Sequence, residues 1–99
     1  MNILRRPKFV SDLADAYAWI AEGNVPAAER LLSLTEAVIT RLERFPYIGA
    51  PREALGPGLR SIRIRPYPHL LFYRVDGDDV TLIRMLHSAR DLPNQGIDG

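Results

Sequence analysis

The chain has 99 residues, 46% hydrophobic and 25% charged, with a formal net charge of +1, a composition that fits one globular domain and argues against disorder. It lacks cysteine, which excludes disulfides and thiolate metal sites; two histidines make a poor metal set, so neither a metal nor a cofactor is expected. No run approaches the roughly 18 apolar residues of a membrane span, and the near-neutral charge gives no general field for nucleic acid, so a cytoplasmic protein without direct DNA binding is expected.

In chain order, Asn2 to Arg6 can form an edge strand. After Pro7, the residues Phe9, Leu13, Ala16, Tyr17 and Ile20 recur at spacings of three and four, opposite Lys8, Asp12, Asp15 and Glu22; this predicts a helix over about 8–22. Gly23-Asn24 supplies a stop and a cap, and Ala28, Leu31, Leu32, Thr35, Val38, Ile39, Leu42 and Phe45 predict a second helix over about 26–45. Pro46, Gly49, Pro51, Gly56, Pro57 and Gly58 then make a loop. Beyond it the period becomes extended. Ile62 and Ile64 alternate with Arg63 and Arg65, Leu70 to Val75 and Val80 to Leu86 are β-rich, and Asp76-Gly77-Asp78-Asp79 between them is a hairpin signal. The expectation is an α+β fold of order β-α-α-β-β-β, one domain over 1–99, with a helical hairpin on one face of a small antiparallel sheet. The opposite face should stay partly open and need a cover, from an amphipathic segment of another chain or a nucleic acid over the arginines.

Charge is unevenly placed. Residues 1–50 carry six basic and six acidic side chains, whereas 59–90 carries Arg60, Arg63, Arg65, Arg74, Arg84 and Arg90 against three Asp in one turn. Twelve of the thirteen basic residues are Arg, which fits bidentate recognition of carboxylate or phosphate and equally fits base composition. Structural roles compete for most candidates. His87 can bond a neighbouring carbonyl, His69 beside Pro68 reads as a turn residue, and Arg74 and Arg84 can pair with the acidic turn. Arg63 and Arg65 can blunt an exposed strand, and Tyr17 and Trp19 read as hairpin packing.

The opening β-α-α pattern, the run FPYIGAPR followed by LGPGLRSI, the strand LLFYRVDGDDV and the terminal IRMLHSARD together resemble the ParE/RelE toxin superfamily of type II toxin–antitoxin systems, most closely its ParE branch. The resemblance covers almost the whole chain. It implies a toxin held inactive in a hetero-oligomer by a ParD-like, ribbon-helix-helix antitoxin, and it implies DNA gyrase as the target. RelE-like members instead cleave mRNA on the ribosome.

RNA cleavage needs a proton acceptor, a proton donor and cations around the phosphate. RelE-like enzymes place an Arg early in the middle strand, a basic residue beyond the last strand and an acid–base group nearby. Here the corresponding positions are Leu70 and Ser88, and no Tyr follows Tyr73. The expectation is therefore a toxin that binds and does not cut, with no catalytic residue; a RelE-like endonuclease and a non-toxic antitoxin-binding relative are the alternatives. Target contacts are expected at Arg84, His87, Arg90 and Asp91, because binding energy concentrates on Arg and a tail is free to reach. Antitoxin contacts are expected at Arg63, Arg65 and Arg74, beside an apolar groove bordered by the helices.

Overall fold

A computed structural model describes residues 1–91 and Ile97. It contains β1 (Asn2–Arg5), α1 (Pro7–Ala21), α2 (Val25–Arg44), β2 (Ala50–Pro51), β3 (Arg60–Arg63), β4 (His69–Asp76) and β5 (Asp79–His87). Pro7 opens α1, where a missing N–H costs nothing. The Asn24 side chain caps α2 by accepting the Ala27 N–H at 3.0 Å, and Arg41 and Arg44 sit favourably in its last turn. In the β4–β5 turn Gly77 takes φ 58°, a conformation that suits glycine.

The five strands lie in the order β1-β5-β4-β3-β2. The sheet is mixed: β1 runs parallel to β5, pairing Asn2 with Asp79 through Arg5 with Leu82, where an antiparallel sheet was expected. Only hairpin-connected neighbours must be antiparallel; β1 reaches β5 after the whole chain between has crossed the sheet, and either direction is open to it. A bidentate pair, Arg5 to Glu36 at 2.9 Å on both arms, fastens β1 to α2. The two-residue β2, which pairs with Arg60 and Ser61, was read as loop because its Pro51 suits only an edge.

The helical hairpin covers one face. Phe9, Leu31, Ile39 and Leu42 pack there on Ile64, Leu71, Tyr73, Val80 and Leu82. The expected bare face does not exist. Leu59, Leu70, Phe72, Ile83, Leu86 and Ile97 form a second buried cluster with Leu55 against it, because the Gly/Pro-rich crossing folds back over the sheet. Arg52 N–H donates to Leu59 O at 2.7 Å, and Ile97 N–H donates to Leu55 O at 2.6 Å. The run HLLFY of β4 is buried at every position, as an unbroken apolar strand between two covered faces should be. Gly49 passes so close to Tyr73 that an added Cβ would lie 2.5 Å from its hydroxyl, which accepts the Gly49 N–H at 2.8 Å.

Candidate functional site

Two sites emerge, one on each side of the β3–β4 turn. The first is a groove of about 480 Å³ between α2 and β3. Its helix wall is Leu34, Ala37, Val38 and Arg41, spaced i, i+3, i+4 and i+7 on one helix face, and its strand wall runs from Ser61 to Arg65. The floor is apolar and the rim carries Arg41, Arg63 and Arg65 with no acidic side chain in the lining. Among the described residues, Arg63 donates only to Tyr67 O, at 3.0 Å. Among the described residues, neither Arg41 nor Arg65 meets a carboxylate.

Arg74 lies apart from this groove. It donates from Nε to Pro57 O at 2.8 Å, tying β4 to the crossing loop. The acidic turn does not account for Arg84. Arg84 grips Asp12 of α1, Nε to Oδ2 at 2.7 Å and an amino group to Oδ1 at 3.1 Å, and its side chain is 27% exposed. Asp12 also accepts the Met85 N–H at 3.0 Å. β1 leaves β5 at Leu82, so the edge of β5 beyond that point needs another acceptor, and Asp12 supplies it. A bulge opposite Phe72 and Tyr73 leaves Ile83 without a facing partner just before Arg84.

The second site is the turn after β5. His87 Nδ1 accepts the N–H groups of Ala89 at 3.1 Å and Arg90 at 3.2 Å. Asp91 closes the turn: its carboxylate accepts the His87 N–H and its own N–H donates to His87 O, both at 2.9 Å. The expected His87 bond to a carbonyl is replaced by these bonds to amides. The Arg90 guanidinium lies 5.2 Å over the Trp19 ring, and Trp19 is 64% exposed, so it forms surface where packing was expected. Tyr17 does pack in the hairpin, its hydroxyl donating to Glu29 at 2.9 Å.

His69 is the first residue of β4, opposite His87 in the ladder, and is buried where a turn residue was expected. The two rings meet edge-on with centroids 5.4 Å apart. Burial holds the His69 pKa below its usual value, reinforced by His87 and Arg90 and opposed by Asp91. Of the residues the sequence assigned to the last strand and tail, His87, Arg90 and Asp91 share one turn and Arg84 lies behind it; Asp12, Trp19, Arg41 and His69 were not among the sequence candidates for the site. Arg41 was legible as the continuation of the Leu34–Val38 face; Asp12 had no signal beyond its place on a polar helix face.

A helical hairpin on a small mixed sheet, with a cationic groove at one edge, defines a class of compact α+β domain. Its backbone is similar to a chain of the chromosomal ParDE toxin–antitoxin system from P. aeruginosa, with TM-score 0.65 at 21% identity over 88% of this chain and 95% of that one. The sequence gives the family. Residues 3–92 match the model of the ParE toxin of type II toxin–antitoxin systems, and the chain is 34% identical to Toxin ParE3 of Caulobacter vibrioides over 95 residues, 95% of this chain and 93% of the relative. The chain belongs to the ParE toxin family: it is the toxin component of a type II toxin–antitoxin system. Among the described residues no helix is long and apolar enough to cross a membrane, and no group of three or more potential ligands gathers for a metal ion.

Proposed function

We propose that this toxin acts in the cytoplasm by binding DNA gyrase and is neutralised by a ParD-like antitoxin seated in the α2–β3 groove. The rim of Arg41, Arg63 and Arg65 over an apolar floor carries the antitoxin assignment. Such a groove fits an amphipathic acidic segment, whose apolar face fills the floor while its carboxylates meet the guanidinium groups. Arg74 joins this surface only if the antitoxin extends around the sheet edge to the crossing loop.

Binding in place of cutting is supported by the chemistry of His87. In the neutral ring the Nδ1 lone pair accepts two tail amides, which puts the proton on Nε2. Neither nitrogen is then free to accept a proton from a ribose hydroxyl. The exposed Trp19–Arg90 stack, with Asp91 beside it, offers instead the aromatic and arginine surface that concentrates binding energy. Arg84 supports that surface from behind through Asp12.

Purified toxin tested in parallel on gyrase supercoiling and on programmed ribosomes decides between the branches. Supercoiling should be inhibited, antitoxin should restore it, and message should stay intact. Specific cleavage of message would establish the RelE-like alternative, and inertness in both assays the non-toxic one.

A further inference from the structure

We propose that His69 and His87 form a pH-sensitive latch, which holds the tail at Ala89 and Arg90 when both rings are neutral and releases it when either takes a proton. Its consequence for toxicity rests on the reading that the tail contacts the target; the latch itself does not.

The two rings occupy facing positions at the ends of β4 and β5. His69 is 5% exposed, and its Nδ1 has no hydrogen-bond partner among the described residues. A buried polar atom left unsatisfied is costly, and a proton there would add a charge in a space faced mainly by rings and cations. The surrounding groups are the Tyr67 ring of the β3–β4 turn, 6.4 Å away, His87 of β5, and Arg90 and Asp91 of the tail. Among the described residues only Asp91 of these is acidic, and it is already engaged with the His87 N–H and faces Arg84 as well.

His87 responds to a proton in a different way. Its Nδ1 is the acceptor for both Ala89 and Arg90. Protonation turns that acceptor into a donor pointed at two N–H groups, and the turn loses both bonds at once. The Ser88 N–H, which donates to Pro68 O at 2.7 Å, is independent of either imidazole and marks the last fixed point before the latch.

The sign follows from linkage. The closed latch favours neutral His69, so the open form binds more protons. Its stabilisation is complete above the ordinary histidine value of 6.5, declines as pH falls below it, and stops changing once pH passes the lowered value of the closed form.

The test is amide exchange of the full-length toxin by NMR at several pH values from about 7.5 to 5.5, expressed as protection factors so that the intrinsic pH dependence cancels. Protection at Ala89 and Arg90 should fall by up to about tenfold per pH unit below the histidine range, the limit for one linked proton, with no fall at Ser88, whose N–H is held by Pro68 O. H87N, whose side-chain oxygen replaces Nδ1 as acceptor without titrating there, should lose the larger part of the fall and keep only the part that His69 contributes. H69F, which removes the buried nitrogen, should flatten the fall in part. Flat wild-type protection across the range, or an equal fall in H87N, overturns the latch. Failure of R90A to weaken gyrase inhibition would instead remove the target assignment and leave these protection factors unchanged.

Discussion

Arginine does opposite things in the two sites. In the groove beside β3, Arg41 and Arg65 meet no carboxylate among the described residues and Arg63 touches only a carbonyl of its own turn, so their charge is directed outward over an apolar floor. In and behind the tail, Arg84 is held by Asp12 and Arg90 is laid on Trp19, so their charge is used within the molecule to set the shape of a surface. The same residue type therefore faces outward in one place and builds the scaffold in the other. What separates the two is whether a carboxylate or ring of this chain lies within reach, which composition does not reveal.

The contrast breaks first, if it is wrong, at the groove. Reversing two rim charges, R63E together with R65E, should weaken ParD-like antitoxin binding on the order of 10²- to 10³-fold by calorimetric titration, because like charges then face the acidic segment, while thermal stability barely moves. An affinity preserved within threefold would move the antitoxin elsewhere. On the tail side, D12A should cost about 2–3 kcal/mol in denaturant unfolding, since it leaves Arg84 and the Met85 N–H without their acceptor. A double-mutant cycle of D12A with R84A should show strong non-additivity; additive losses would mean that Arg84 points outward after all.

Smaller effects sharpen the distinction. H87A should lose about 1 kcal/mol through the two tail amides and weaken growth arrest while leaving antitoxin affinity nearly intact; R84A should likewise spare antitoxin affinity. Equal loss of affinity in either variant would merge the two sites into one. Smallest is E36Q, at the exposed Arg5–Glu36 pair, with about 0.2–1 kcal/mol expected. The Arg5 hydrogen bonds hold the Glu36 carboxyl below its ordinary value of 4.5. Its contribution is thus present above that value and lost as pH falls through the lowered one, and the difference from E36Q should vanish in acid.

Much of the fold was legible. The spacing of Phe9, Leu13, Ala16 and Ile20 and the Asn24 cap placed both helices within a residue at each end, and the acidic turn placed the β4–β5 hairpin. The parallel pairing of β1 was not legible, because four residues with no neighbour in sequence carry no signal of direction. Nor was the cover over Phe72 and Ile83, since Leu55, Leu59 and Ile97 stand among glycines and prolines that read locally as loop. The site was legible only where it was local. His87 and Asp91 are four residues apart and close one turn, whereas Asp12 meets Arg84 across 72 residues, and no pattern along the chain joins them.

The position of β5 has a further consequence for how such a toxin is made. It lies between β1 and β4, yet among the described strands it is the last to leave the ribosome, so the sheet has a gap beside β4 until Asp79–His87 has been made. β1 can find no ladder before then, and the core under Val80 and Leu82 stays open. Contacts of such long sequence separation form late and slowly. A chain interrupted before residue 79 thus lacks both the ladder that holds β1 and the strand that closes the core, and the fold comes together only once β5 has been made.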